Sequence, residues 1–255
     1  MISRAIGFPF RGPHVWANLG CVVLCTIIPA VGPLVVGGYL IVVEKRLIEN
    51  IDSDAPRFKF DRFVDYLIKG VWPFVLGLIL SCFILPLVMC LWFGMFIGVT
   101  MLHDRPAVLV GVMITAAIVL MTLSLALAPL VQPLVLKVSL QGDLKGALDW
   151  RFALDYFKRV GLLSIGQHVL LVLIIFPVSI LSFCIPYLGL FAVVAISNFV
   201  QIHLNTQIYL EYLNRGGMPI PFEPEPPEPA FPVVQSPPDP LTSYPPESSP
   251  PPPAP

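Results

Sequence analysis

The chain has 255 residues, 56% of them apolar and only 12% charged, with a strongly positive mean hydropathy. A soluble domain carries about 25% charged residues, so this composition excludes an ordinary soluble protein and points to a bilayer. The net charge of -1 supplies no basic excess of the kind nucleic-acid binding requires, and no nucleic-acid partner is expected.

Residues 1–16, "MISRAIGFPFRGPHVW", have no clean apolar core leading to a small-residue cleavage site. They do not read as a removed signal peptide, and the first span is expected to act as its own insertion signal. From residue 17 to 213 the chain reads as a polytopic membrane domain. Stretches free of Asp, Glu, Lys and Arg cover 12–43, 70–103, 106–136 and 160–210. A crossing needs about 20 apolar residues, so the last stretch has room for two. Five spans follow, at about 17–43, 70–102, 107–136, 161–183 and 186–210.

The connection after the first span carries Lys45, Arg46, Arg57, Lys59, Arg62 and Lys69, and the one after the third carries Lys137, Lys145, Arg151, Lys158 and Arg159. Both are expected on the cytoplasmic side. The "HDRP" and "CIPYLG" turns, with one Arg between them, fall outside, and the C-terminus falls inside. Arg4 and Arg11 pull mildly against this orientation. Residues 70–102 are the awkward span, since one helix of that length runs about 48 Å. A kink at Pro86 or a short helical hairpin would absorb the excess, and the charge rule favours the kink.

"PAVGPLVV" at Pro29 to Val36 returns as "PLVQPLVL" at Pro129 to Leu136. Charged connections follow both, then "RFVDYLIKG" from Arg62 and "RFALDYFKRVG" from Arg151. Each closing glycine, Gly70 or Gly161, precedes a proline by sixteen residues, at Pro86 and Pro177. This order reads as a parallel internal repeat about an axis along the membrane normal. Both "RF..DY" segments are amphipathic. Phe60, Phe63, Val64, Leu67 and Ile68 share one face of the first, and Trp150, Ala153, Leu154 and Phe157 one face of the second. They are read as interfacial helices on anionic headgroups, or as plain juxtamembrane elbows.

Residues 214–255 change character. From Gly216 onward there are seventeen prolines, five acidic residues and no Lys or Arg. Such a tail is expected to be disordered, with polyproline II character, and dispensable for folding. It serves as a spacer, or docks a protein partner through PxxP strings such as "PEPPEP".

The prolines Pro29, Pro33, Pro129 and Pro133 are candidate helix breaks. They act either as packed kinks or as exposed backbone lining a transport site, with Gly32, Gly37, Gly38 and Gln132 beside them. The last span is the most polar. Asn198, Gln201 and Asn205 share one face with Tyr209 and Tyr212, while His203, Gln207 and Glu211 recur by four on the next. This candidate polar face is either interhelical glue or a cavity wall with His168, beside Gln167, as a partner. No acidic or basic residue is placed at mid-bilayer depth. The cysteines show no metal-ligand spacing, and no Walker A, HExxH or GxSxG sequence occurs. No catalytic residue, metal or cofactor is assigned, and an enzyme is not expected.

"FPFRGPHVW", "IPAVGPLVVGGYL", "PRFKFDRFVDYLIKGVWPF" and the closing "IPYLGLF" and "QIHLNTQIYLEY" together resemble the bacterial membrane family called domain of unknown function 4013. The resemblance covers about residues 8 to 213. It implies a multi-span bacterial membrane protein without an established activity, and carries no catalytic residue onto this chain. The expectation is therefore an all-α integral membrane protein of the bacterial cytoplasmic membrane, with proline-broken spans, two interfacial helices and a cytoplasmic tail. Its expected role is a structural or partner-binding membrane module, or alternatively a passive permease or channel for a small polar or lipidic solute.

Overall fold

Backbone N–H and C=O groups in hydrocarbon have only each other to bond, so long apolar sequence folds as helix. The computed structural model describes residues 1–101, 106–145, 149–182, 184–185 and 188–223, and every regular element among them is helical. In chain order these are α1 (Ile2–Gly7), α2 (Val15–Ile27), α3 (Val31–Glu49), α4 (Phe63–Met101), α5 (Pro106–Gln141), α6 (Trp150–Ser182) and α7 (Leu188–Asn214), with 3-10 turns at Phe8–Phe10 and Phe60–Arg62. Among the described residues three stretches are long and apolar enough to cross a membrane: Phe60–Phe83, Trp150–Ser182 and Gly189–Asn214. Leu162, Leu173, Phe176 and Leu181 of α6 all stand exposed, an apolar surface that suits lipid rather than water. The "HDRP" and "CIPYLG" turns lie partly, and the tail from 224 wholly, outside the described residues.

The two "RF..DY" segments differ from the expectation of separate interfacial helices. Each is the opening of a long helix, α4 in one case and α6 in the other. Their apolar residues divide between two sides. Phe60, Val64, Ile68, Trp150, Leu154 and Phe157 are exposed, whereas Tyr66, Phe152, Ala153 and Tyr156 are buried. The bundle therefore takes the tyrosine side, and the amphipathic pattern marks a helix half in the core. No turn interrupts residues 70–101 either. α4 runs unbroken through Pro73 and Pro86, because one missing N–H leaves the remaining helical bonds in place.

The proline pairs also diverge. α2 stops at Ile27 and α3 begins at Val31, with Ala30 at φ 64 in the gap. α5 passes through Pro129 and Pro133 without interruption.

Tight crossing joins α3 to α4. A Cβ on Gly38 would run into the Tyr66 backbone carbonyl, and one on Gly70 into the Leu34 carbonyl. Only glycine permits this approach, the same device that brings membrane helices together generally. Tyr39 lies in the core beside Phe58 and Tyr66, at ring distances of 5.2 and 5.6 Å. Its hydroxyl donates to the Pro56 carbonyl at 2.7 Å. Asn18 accepts the Phe58 N–H at 2.8 Å and donates to the Pro56 carbonyl at 3.1 Å, so α2 and α3 together pin the following loop.

A second cluster joins α6 to α7 through Tyr156, Leu204, Ile208, Tyr209 and Tyr212. Asp149 caps α6 by accepting the Phe152 N–H at 3.2 Å, and it pairs with Lys137 at 2.8 Å. Packing continues past the expected boundary at residue 213. Met218 and Ile220 donate their backbone N–H groups to the hydroxyls of Tyr212 and Tyr209, at 3.0 and 2.8 Å, and the Ile220 side chain is buried. Residues 218–220 thus form a strap across α7. Its backbone is bonded where a proline-rich composition suggested free chain, since the prolines there, Pro219 and Pro221, leave the two donating N–H groups intact.

Candidate functional site

Helical spacing aims one face of α3 inward. Gly37, Leu40, Ile41 and Glu44, at intervals of three, one and three, share that face and line a cavity of about 320 Å³. α5 adds Gln132 and Ser139, α6 adds His168, and α7 adds Gln201 and Asn205. Pro73 of α4 completes the wall. Among the described residues no Lys or Arg lines it.

The polar groups are arranged with unused bonding capacity. Ser164 donates its hydroxyl to Gln132 Oε1 at 2.9 Å, which leaves Gln132 Nε2 without a partner among the described residues. His168 Nδ1 lies 2.8 Å from the Ser164 backbone carbonyl. That carbonyl can only accept, so Nδ1 carries a proton. Asn205 Oδ1 is buried and has no partner among the described residues.

Glu44 is 3% exposed. No ion pair or hydrogen bond joins its carboxyl among the described residues, and no basic side chain offsets it. An unpaired carboxyl inside a bundle is costly unless it serves something.

Of the candidate polar face, the structure brings Gln201 and Asn205 to the cavity, and Asn198 does not line it. His203 and Gln207 form a separate buried pair at 2.8 Å, with His203 against the Phe8 ring at 4.7 Å, the geometry of packing between α7 and the N-terminal turn. Pro29, Pro33, Pro129 and Pro133 do not line the cavity, although Gln132 between the second pair does. Glu44 and Ser139 were not singled out from the sequence. Glu44 closes a charge-free stretch and precedes Lys45 and Arg46, so it reads as the start of a loop. The signal that finds it is the continuing inward face at 37, 40, 41 and 44.

No curated protein and no solved structure matches the chain. The matched family model, described as a protein of unknown function (DUF4013), spans residues 21–186 and takes in all the cavity-lining positions except those on α7; the chain belongs to this family.

Proposed function

We propose that this is a non-catalytic multi-pass protein of the bacterial cytoplasmic membrane whose bundle binds a small polar solute and lets it pass. The observation that carries the reading is the 320 Å³ cavity, where polar side chains from α3, α5, α6 and α7 converge with bonding capacity left over. A volume at the lower end of ligand-pocket size suits a small molecule. The positive loops support a cytoplasmic C-terminus, and the exposed apolar sides of α4 and α6 support contact with lipid, including anionic headgroups near the cations of residues 57–69 and 151–159. The proline-rich sequence beyond Glu223 supports a second role, docking of a partner protein.

The test is solute equilibration in proteoliposomes, followed by light scattering with urea and erythritol. The parent protein should accelerate equilibration over empty vesicles. Gln132→Leu combined with Asn205→Leu should slow it while melting changes little. A parent protein that neither accelerates any solute nor gains stability from one would remove the reading.

A further inference from the structure

We propose that the cavity recognises a small organic cation bearing a primary ammonium group. This rests on the solute-cavity reading above and names the class of solute.

Three features of the lining select that class. The acid comes first: among the described residues Glu44 is the only acidic side chain on the wall, it is 3% exposed, and no side-chain cation is paired with it. A cationic ligand supplies the missing charge. Acceptors come second. The Glu44 carboxyl oxygens and Asn205 Oδ1 accept, and an ammonium group has three N–H bonds to donate. The third is a buried unused donor, Gln132 Nε2, which fits a hydroxyl oxygen elsewhere on the same molecule. Anionic solutes are disfavoured, since no Lys or Arg lines the cavity among the described residues. A bare metal ion fits poorly as well. Among the described residues no three His, Cys, Asp or Glu side chains gather at metal distance, and a single ion would leave most of 320 Å³ unfilled.

Ethanolammonium is the simplest probe, with an ammonium at one end and a hydroxyl at the other. Ethylene glycol is its neutral counterpart, and sodium its inorganic one. Binding is read as the concentration-dependent rise in melting temperature of the full chain in phosphatidylcholine nanodiscs. Ethanolammonium should bind at least about tenfold more tightly than ethylene glycol in the parent protein. Glu44→Gln should weaken ethanolammonium about thirtyfold, as expected for loss of a desolvated charge pair, and leave ethylene glycol unchanged. Discs containing phosphatidylethanolamine separate two sources of the same chemistry. If that lipid raises the melting temperature and abolishes the further rise from free ethanolammonium, the natural ligand is a headgroup; if it does neither, the ligand is a free amine.

Equal binding of ethylene glycol and ethanolammonium in the parent protein would overturn the ammonium assignment and leave the solute cavity standing. So would an equal rise with sodium. If no solute binds or permeates at all, the cavity reading itself fails. The parent-protein comparison needs no variant, so a Glu44→Gln protein that folds poorly does not rescue the proposal.

Discussion

Pro29 and Pro33 begin one segment of the chain, and Pro129 and Pro133 sit in another one hundred residues later, yet the first interrupts a helix and the second lies inside one. The residue between the prolines differs in consequence. Gly32 lets the backbone fold back until a Cβ would strike the Cys25 carbonyl, whereas Gln132 at the same place extends a side chain to Ser164 and the cavity. Five residues further, Gly37 lines the cavity while Lys137 reaches Asp149. The helices that follow are anchored by equivalent tyrosines covered in different ways. Tyr66 packs under Tyr39 and Phe58 from the preceding loop, and Tyr156 lies 5.0 Å from Tyr212, whose hydroxyl holds the C-terminal strap. Similar sequence thus serves as hinge and close packing in one region and as continuous helix in the other, and both regions contribute to the cavity wall.

The comparison breaks most sharply at the closing glycines. Gly70→Ala drives a methyl group into the backbone of α3 and should cost about 3 kcal/mol in chemical unfolding. Gly161→Ala first meets the Phe157 ring, a movable and exposed side chain, and should cost under about 1 kcal/mol. Equal losses would show that the two crossings are built alike.

Truncation after Gly216 tests the strap. It exposes the site of Ile220 and strips both tyrosine hydroxyls of their backbone partners, so it should lower stability by about 2 kcal/mol. An unchanged melting temperature would return the tail boundary to residue 213, where composition alone puts it.

Opposite signs are expected at Ala30 and Leu130. Ala30 sits at positive φ, so Ala30→Gly should stabilise by about 1 kcal/mol. Leu130 lies within continuous helix, and Leu130→Gly should destabilise by at least about 1 kcal/mol. Matching signs would mean that the two proline pairs have the same backbone after all.

The smallest effect is electrostatic. The hydrogen bond from Lys137 holds the Asp149 carboxyl below its ordinary value of 3.8. A depressed carboxylate contributes stability that is complete above the unfolded value and fades as pH falls through the folded one. Asp149→Asn should therefore flatten the acid side of the stability profile below about pH 4. The side chain is 41% exposed, so solvent screening limits the effect to under about 1 kcal/mol.

Charge-free stretches and composition determined by themselves that the chain is helical and apolar enough for a membrane, because hydrocarbon permits a single chain few other ways to satisfy its backbone. They also marked Gln132, His168, Gln201 and Asn205, since an amide or imidazole within an apolar stretch must find a partner or line a space. Which of these it does was a tertiary decision. Gln201 and Asn205 face the cavity and His203 and Gln207 face each other, although all four lie on α7 within two turns, because the neighbours of each face differ. The same holds for the prolines. A missing N–H weakens any helix, but whether it breaks depends on what a close-packed neighbour or a Gly32 allows. Glu44 is the clearest case. Its sequence neighbours, Lys45 and Arg46, mark it as surface, and only the packing of α3 against α5 and α7 turns its face inward and leaves a carboxyl enclosed without a cation.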